Sequence, residues 1–320
     1  MTRLAWVVGA RGLLGSAVQR AIEKRDDWAL APAAALPWTE PKPFATAARR
    51  AIRSLVTAAA ACNSSWTVIW AAGAVVTSSL PAEFDGERTQ LRRFLEILGE
   101  EAARAKAPGS VFFASSGGGV YAGASGPPFT EETPTAPLAP YGWFKLEMEE
   151  EMRRFAAASG TPVLIGRITN LYGPGQRLDK MQGLISHLAL SRFVAKPVFI
   201  FVPLETVRDY VFVDDCAAHI LDAMDRLAAE APNLPSPPVV IKIFGSGEGV
   251  SISTLLGYYR AITKSMPSVV LGTTPSTKHQ AIDLRMRSVV WPDLDRRERT
   301  PVAAGFHATM MDVLRMLQGR

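Results

Sequence analysis

The sequence predicts an α/β fold, with a doubly wound parallel sheet followed by a smaller C-terminal α/β domain. A buried-strand pattern at residues 4–8 runs directly into a glycine-rich turn and an amphipathic helix. Strand and helix patterns then alternate through the first half of the 320-residue chain. This alternation is typical of parallel sheets with helices on both faces. The pattern changes near residue 171, which indicates a second domain.

The individual elements follow one another at short intervals. Predicted strands cover residues 4–8, 28–34, 66–71, 110–114 and 162–168, and predicted helices cover 13–22, 43–62, 84–106 and 141–158. A loop at 172–175 separates them from a helix near 184–190, strands at 198–202 and 239–244, and a helix near 253–262. No apolar run reaches the ~18 residues that a membrane span requires.

Composition and charge exclude several classes of protein. Hydrophobic residues make up 48% and charged residues 20% of the sequence, which is typical of a folded globular protein. The net charge of +5 favours anionic ligands, but the basic residues form no dense tract, which argues against nucleic acid. Two cysteines in the whole chain fit a reducing cytoplasm. The histidines lack the spacing of metal ligands; they are His187, His219, His279 and His307.

A glycine-rich turn with the spacing G-x-x-G-x-x-G joins the first strand to the first helix. Glycine lets the backbone turn tightly and approach a pyrophosphate, while the helix N-terminus faces the anion. The turn therefore predicts a Rossmann-like dinucleotide site. The residues expected to contact the cofactor are Gly9, Arg11, Gly12, Leu13, Leu14 and Gly15. A purely structural turn between strand and helix is the alternative.

The end of the second predicted strand bears on the choice between NAD and NADP. NAD-preferring folds place an acidic residue there, about 20 residues after the turn, to bind the ribose 2′-hydroxyl. The stretch 31–38 contains no acid. Arg11 carries a guanidinium that could meet a 2′-phosphate, although it could also be a solvated loop arginine. The sequence therefore favours NADP, with NAD as the alternative.

These patterns divide the chain into two predicted parts. Residues 1–172 would form the Rossmann-like NAD(P)-binding domain, to which the chain returns at about 209–230. Residues 173–320 would mainly form the substrate-binding domain. The two domains are therefore expected to be interleaved along the sequence.

Tyr141 and Lys145 lie four residues apart at the start of a predicted helix and therefore share one face of it. A lysine ammonium beside a tyrosine stabilises the phenolate. This makes Tyr141 a candidate for general acid or base catalysis. Upstream, the run Ser-Ser-Gly-Gly-Gly-Val-Tyr at 115–121 ends a predicted strand. A hydroxyl there could hydrogen-bond the oxygen of a substrate.

These motifs resemble the extended short-chain dehydrogenase/reductase family, of the NAD-dependent epimerase/dehydratase type that modifies nucleotide sugars. The later runs Asn-Leu-Tyr-Gly-Pro-Gly at 170–175, Arg-Asp-Tyr-Val-Phe-Val-Asp-Asp at 208–215 and Phe-Gly-Ser-Gly at 244–247 follow in the same order as in that family. The resemblance covers about residues 4–315. It is specific for the family and poorly specific for the substrate.

The resemblance implies roles for the matching residues. Tyr141 would donate or accept a proton, and Lys145 would hold the nicotinamide ribose hydroxyls. Further residues that would line the cofactor are Ala71, Ala72 and Gly73. Asn170 would lie beside the nicotinamide or the substrate. Arg208 would contact the substrate, unless it forms a structural ion pair with Asp209 or Asp214.

The run at 115–121 departs from the family pattern. Many relatives carry the catalytic hydroxyl where this chain has Gly117. Ser116 is the nearest hydroxyl and is our candidate for both catalysis and substrate binding, with Ser115 as the alternative. The dehydratases carry an Asp-Glu pair directly after this hydroxyl, where this chain has glycines. We therefore do not expect 4,6-dehydratase chemistry.

Three functions follow from the resemblance. The first is an NAD(P)-dependent epimerase or related oxidoreductase that acts on a nucleotide-linked sugar. The second is an NADPH-dependent ketoreductase of a keto-sugar nucleotide or another small carbonyl compound. The third is a non-catalytic nucleotide-binding regulator. Retention of Tyr141 and Lys145 argues against the third, since neither is needed to fill a core.

A homodimer is expected because many relatives pair two helices of each subunit in a four-helix bundle. The predicted helices at 84–106 and 141–158 are the corresponding elements of this chain. The first of them has an apolar stripe that would exceed what its own sheet can cover. The residues of this stripe are Leu91, Phe94, Leu95 and Ile97.

Overall fold

Strands and helices alternate along the chain in the computed structural model, which describes residues 2–32, 35–73, 75, 79, 81–178, 183–194, 196–272 and 281–319. The strands are β1 (Arg3–Val8), β2 (Trp28–Leu30), β3 (Trp66–Trp70), β4 (Gly109–Ser116), β5 (Val163–Ile168), β6 (Asn170–Tyr172), β7 (Val198–Ile200), β8 (Val207–Phe212), β9 (Val239–Phe244), β10 (Gly249–Ser251), β11 (Val269–Leu271) and β12 (Asp283–Leu284). The helices are α1 (Leu13–Ile22), α2 (Pro41–Ala61), α3 (Pro81–Ala105), α4 (Gly117–Val120), α5 (Pro140–Ser159), α6 (Leu184–Ser191), α7 (Val213–Glu230), α8 (Ile252–Thr263) and α9 (Val302–Gln318). Apart from the single turn α4, the elements up to β5 have the predicted order and type.

The central sheet is parallel, with the strand order β2-β1-β3-β4-β5-β9. One apolar cluster joins it to α2, α3 and α5 on one face, and a second cluster joins it to α1 and α7 on the other. Because both faces are covered, β3 is buried along its whole length. The predicted α/β class with a doubly wound parallel sheet is confirmed.

The direction in which the strands are added reverses at β1. Its neighbours are β2 on one side and β3 on the other. The helix that follows β1 and the helix that follows β3 therefore pack on opposite faces of the sheet. Such a reversal opens a crevice at the carboxyl ends of the two strands, where ligands bind in folds of this kind.

The chain returns to the sheet over a longer stretch than predicted. α7 lies within the expected return segment, but β9 also belongs to the sheet and pairs with β5. β9 is the edge strand of the sheet, and its pairing covers the edge of β5 that would otherwise be open. The division of the chain into two domains near residue 172 stays a prediction.

The edge strand β9 is fixed by two charged side chains. The buried ammonium of Lys242 donates hydrogen bonds of 2.7–2.8 Å to Ser288 Oγ, Val290 O and Asp295 Oδ2. The carboxylate of Glu131 accepts hydrogen bonds from the backbone N–H of Ile243 at 2.7 Å and of Val289 at 2.8 Å. The segment that follows β12 is thereby attached to the edge of the sheet.

Most of the remaining strands surround β8. Strands β10, β12 and β6 all pair with β8, and β7 pairs with β11 in a separate parallel ribbon. Helices α6, α8 and α9 share an apolar cluster with residues of β7 and β8. Over the described residues, no helix has both the length and the apolar character of a membrane span.

The apolar stripe of α3 lies inside the subunit. Its members Leu91, Phe94, Leu95 and Ile97 are at most 6% exposed. They belong to the same cluster as the buried face of α2, which packs along α3 and covers what the sheet leaves uncovered. The stripe is therefore covered by α2 together with the sheet, and these four side chains offer no exposed apolar surface to a second subunit.

Three residues considered in the sequence analysis lie outside the described residues. Ala33 and Ala34 stand at the end of the second predicted strand, and His279 is one of the four histidines. β2 ends at Leu30, so residues 31 and 32 of the predicted strand, which are described, lie outside it.

Candidate active site

The glycine turn lies against the backbone that follows β3. Gly9 has a left-handed φ of 91°, and a Cβ on it would lie 2.6 Å from the Ala72 backbone nitrogen. A Cβ on Gly15 would overlap the carbonyl of Gly9. Glycine is required at both positions because the first needs a positive φ and both need close backbone contact. The turn and Ala71–Gly73 together form one wall of the crevice.

The N-terminus of α1 is suited to an anion. Gly12 precedes the helix without a side-chain cap, and the first turn contains no acidic residue. The first backbone N–H groups of a helix lack partners within the helix, and the helix dipole favours negative charge there. The residues of this turn therefore fit the pyrophosphate of a dinucleotide. Arg11 is exposed beside them and forms no ion pair within the described chain.

Tyr141 and Lys145 lie on the first turns of α5. The Lys145 Nζ is 5.7 Å from the centre of the Tyr141 ring. The lysine is only 6% exposed, and its ammonium donates a 3.4 Å hydrogen bond to the carbonyl of Ala114 in β4. It also lies 3.8 Å from the point where a Cβ on Gly73 would sit. Lys145 thus connects α5 to the carboxyl ends of β3 and β4.

Ser116 and Tyr141 meet across Gly119. The Ser116 hydroxyl accepts a 3.1 Å hydrogen bond from the Gly119 N–H and thereby caps the short helix α4. A Cβ on Gly119 would lie 3.3 Å from Ser116 Oγ and 3.2 Å from the Tyr141 ring. The three predicted catalytic residues are therefore brought together at the carboxyl ends of β3 and β4.

Gly117 and Gly118, which precede Gly119 in α4, contact the segment around β12. A Cβ on Gly117 would lie 2.6 Å from the Met286 sulfur, and one on Gly118 would lie 3.9 Å from the Leu284 side chain. The segment around β12 therefore packs directly on the turn that follows Ser116. A side chain at Gly117 would require Met286 to move, since the Met286 sulfur occupies the space beside it.

Ser115 belongs to a buried network that the sequence analysis missed. Its hydroxyl donates a 2.6 Å hydrogen bond to Glu149. Glu149 also receives hydrogen bonds of 3.1 and 2.8 Å from Arg167, and Arg167 donates another of 2.6 Å to the Tyr121 hydroxyl. Burial alone would lower the pKa of Arg167, but the hydrogen bonds and the charge of Glu149, together with the contact to Tyr121, outweigh burial and raise it. The network joins α5, β4 and β5 beneath the candidate site.

The two serines are expected to respond differently to replacement by alanine. Ser116→Ala should lower turnover more than Ser115→Ala does, because its hydroxyl faces Tyr141, and should lower the free energy of unfolding by about 0.5–2 kcal/mol, because it also caps α4. Ser115→Ala should lower the free energy of unfolding by about 1–3 kcal/mol, because it deprives buried Glu149 of a donor. Steady-state kinetics and urea denaturation of both variants measure these effects. A larger loss of turnover in Ser115→Ala would exchange the roles of the two serines.

Asn170 and Arg208 lie on neighbouring strands. Asn170 begins β6 and stands opposite Tyr210 of β8. Arg208 stands opposite Leu284 of β12, the residue whose side chain approaches Gly118. This register links Arg208 to the turn that follows Ser116. Both residues are half-buried.

The acids offered as ion-pair partners for Arg208 bind other groups. The buried carboxylate of Asp209 accepts hydrogen bonds from Thr169, Ser246 and Gly247, and burial raises its pKa. Asp214 pairs with Arg20 at 2.6 Å. Arg208 donates to the carbonyls of Val207 and Ile282 at 2.9 and 3.5 Å, and burial lowers its pKa.

The glycine turn at the strand reversal and the adjoining serine, tyrosine and lysine define an extended short-chain dehydrogenase/reductase. A family model described as "NAD dependent epimerase/dehydratase family" matches residues 5–234. The chain belongs to this family, and the resemblance stated from the sequence is confirmed.

Curated relatives include both reductases and epimerases. The chain is 32% identical over 146 residues to dTDP-4-dehydro-6-deoxyglucose reductase of Escherichia coli. This aligned segment covers 46% of this chain and 43% of the relative. It is 33% identical over 166 residues to UDP-glucose 4-epimerase of Azospirillum brasilense, which covers 48% and 47% respectively. The matches therefore span less than half the length of each of these relatives.

Solved structures match over nearly the whole chain. UDP-glucose 4-epimerase of Thermotoga maritima, solved with UDP-glucose, has a TM-score of 0.75 and 19% identity, and covers 99% of this chain and 100% of its own. RMD of Pseudomonas aeruginosa, complexed with NADPH, has a TM-score of 0.74 and 20% identity, and covers 99% of both chains. At these identities the likeness shows the fold alone.

Proposed function

We propose that this protein is an NAD(P)-dependent oxidoreductase of the epimerase type that acts on a nucleotide-linked sugar. The observation that carries the proposal is the meeting of Ser116, Tyr141 and Lys145 next to a turn suited to a dinucleotide. A non-catalytic regulator would have no need for these three groups in one place. The proposal therefore favours an enzyme over a binding protein.

Each residue of the site has a defined task in this proposal. The nicotinamide of the bound cofactor supplies hydride chemistry. Tyr141 takes the proton from the reacting hydroxyl of the substrate or returns it. Ser116 hydrogen-bonds the same substrate oxygen and orients it. Lys145 stabilises the phenolate of Tyr141 through its positive charge and holds the nicotinamide ribose hydroxyls.

The substrate class follows from the relatives and from two residues of the C-terminal part. The curated relatives are named for sugars linked to dTDP or UDP. A guanidinium is well suited to a diphosphate because it presents several donors in one plane. We assign this contact to Arg208 and a contact with the sugar or the nicotinamide to Asn170.

The test is incubation of the protein with NAD or NADP and a panel of UDP- and dTDP-linked sugars. An epimerase should interconvert two isomers without a net change in free cofactor, because each hydride taken from the substrate returns to it. Chromatography of the sugar nucleotides and absorbance of the reduced cofactor measure both quantities. Binding of cofactor and sugar nucleotide without turnover of any substrate would favour the regulator instead.

An NADPH-dependent ketoreductase is the second candidate function. Arg11 stands at the cofactor turn, and cells keep the NADPH pool reduced, which favours net reduction. The E. coli relative is named as a reductase of a keto-sugar nucleotide. Consumption of NADPH in proportion to product, with keto-sugar nucleotides as substrates, would place this candidate first. The absence of acids at 117–119 argues against a dehydratase in either case.

We propose NADP(H) as the preferred cofactor, with Arg11 as the residue that selects it. Arg11→Ala should weaken NADPH binding at least about 10-fold, since a hydrogen bond to a charged group contributes roughly 1.5–3 kcal/mol. NADH, which lacks the 2′-phosphate, should bind equally well before and after the change. Calorimetric titration measures both affinities, with Lys24→Ala as a control because Lys24 is exposed beyond the end of α1. Unchanged NADPH affinity in Arg11→Ala would contradict the assignment.

We further propose a cytoplasmic homodimer that pairs through the outer faces of α3 and α5. Salt bridges from Arg88 to Glu147 and from Arg92 to Glu151 join the two helices. A groove of about 920 Å³ lies alongside them, and small residues such as Gly99 and Ala158 line part of it. Small side chains let a second helix approach closely.

The cytoplasmic location is supported by the cysteines. Both are free thiols, which fits a reducing compartment.

A further inference from the structure

Glu87, on the second turn of α3, approaches the same point as Lys145. A Cβ on Gly73 would lie 3.2 Å from Glu87 Oε1 and 3.8 Å from Lys145 Nζ. The second carboxylate oxygen, Oε2, accepts a hydrogen bond from the Val75 N–H at 3.4 Å. The carboxylate is therefore held just beyond the carboxyl end of β3, near the ammonium group.

The chemistry of the two groups is complementary. An ammonium only donates hydrogen bonds and a carboxylate only accepts them, whereas a hydroxyl does both. A hydroxyl between them would therefore accept from the ammonium and donate to the carboxylate at once.

Lys145 also requires further acceptors. The residue is 6% exposed, and its hydrogen bond to Ala114 is long at 3.4 Å. An ammonium group carries three donors, and a buried charge is costly unless it is hydrogen-bonded. A ligand hydroxyl that is itself held by a carboxylate would supply such an acceptor.

We propose that Glu87 is a further cofactor-binding residue, which accepts a hydrogen bond from the nicotinamide ribose hydroxyl that Lys145 holds. This inference rests on the proposed function, because it requires a nicotinamide dinucleotide in the crevice. The hydroxyl accepts a hydrogen bond from Lys145 and donates one to Glu87, and the two bonds together fix the ribose relative to Tyr141. Glu87 lies in none of the sequence motifs, and its position follows from the packing of α3 against β3 and α5.

The test compares affinities for intact NADP and for analogues that lack the 2′- or the 3′-hydroxyl of the nicotinamide ribose. Calorimetry on the wild type, Glu87→Ala and Glu87→Gln gives the dissociation constants without reference to turnover. Glu83→Ala is the matched control, because Glu83 is exposed one turn earlier on α3. It is expected to bind all ligands like the wild type.

Glu87→Ala should bind NADP about 10-fold more weakly than the wild type, as expected for loss of a hydrogen bond to a charged group. One of the two analogues should bind the wild type about 10-fold more weakly and lose little further affinity in Glu87→Ala, because both changes remove the same contact. Glu87→Gln, which keeps one acceptor oxygen, should show a smaller loss.

Unchanged NADP affinity in Glu87→Ala would overturn the role of Glu87 while leaving the proposed function intact. The same conclusion would follow if, for both analogues, the loss of affinity from the missing hydroxyl and the loss from Glu87→Ala multiplied. A wild type that binds neither NAD nor NADP would overturn the proposed function, and the role of Glu87 with it. Should Glu87→Ala fail to fold, the near-isosteric Glu87→Gln decides by the same comparison with the analogues.

Discussion

Turnover of a Tyr141→Phe variant is expected to fall at least ~10²-fold, because general acid–base catalysis typically contributes that much. Phenylalanine keeps the ring that packs against Gly119 and loses only the hydroxyl. The variant should therefore fold normally and bind the cofactor as the wild type does. Steady-state kinetics and calorimetry on the same preparations separate these effects.

Tyr258→Phe is the matched control for Tyr141→Phe. Tyr258 is half-buried on α8, and its replacement should leave turnover unchanged. The double variant Tyr141→Phe/Ser116→Ala should lose less than the product of the single losses, since groups that act together on one atom are not additive. Full turnover in Tyr141→Phe would remove the proton-transfer role from Tyr141.

Replacing Arg167 with methionine is expected to lower the free energy of unfolding by about 3–5 kcal/mol, the usual effect of breaking a buried ion pair from one side. The side chains of Arg167 and Glu149 are 5% and 3% exposed. Without Arg167, the Ser115 hydroxyl would be the one remaining partner of the Glu149 carboxylate among the described residues. Urea denaturation measures the loss.

The double variant Glu149→Leu/Arg167→Met distinguishes the cause of that loss. It should recover most of the stability, because the cost arises from an unpaired buried charge and not from the loss of attraction. Arg93→Met is the control, since Arg93 pairs with Glu96 while the two side chains are 46% and 59% exposed, and exposed pairs contribute only about 0–1 kcal/mol. A double variant as unstable as Arg167→Met would contradict this explanation.

The elements of the first half could be predicted because their patterns are local. Strand and helix periodicities and the glycine turn each depend on a few neighbouring residues. The place of β9 in the central sheet could not be predicted in the same way. Lys242 interrupts its apolar run, and the partners that allow this lysine to be buried stand 46–53 residues further along the chain.

The same distinction holds for the candidate site. The spacing of Tyr141 and Lys145 identified both residues, and the structure brings Ser116 to them. Glu149 extends this spacing by one more helical turn, so a buried acid there was a signal that we did not use. Its partner Arg167 gave no signal, because nothing in the sequence connects the two. Glu87 was equally hidden.

The apolar stripe of α3 shows what a sequence pattern does not reveal about a surface. A sequence shows how many apolar residues a helix carries, but not how many neighbouring elements pack on it. Here α2 packs along α3 and takes up Leu91 and Phe94 in a shared core. A proposal for pairing of subunits must therefore rest on the groove beside α3 and α5 and not on that stripe.

The way in which β9 is bound restricts how two molecules can meet. The free edge of a sheet can template a strand from another molecule through its unpaired backbone groups. At β9, the outward N–H of Ile243 already binds the Glu131 carboxylate. An added strand would have to displace this carboxylate from Ile243 and from Val289. This side of the sheet should therefore resist edge-to-edge aggregation, even when the protein is concentrated.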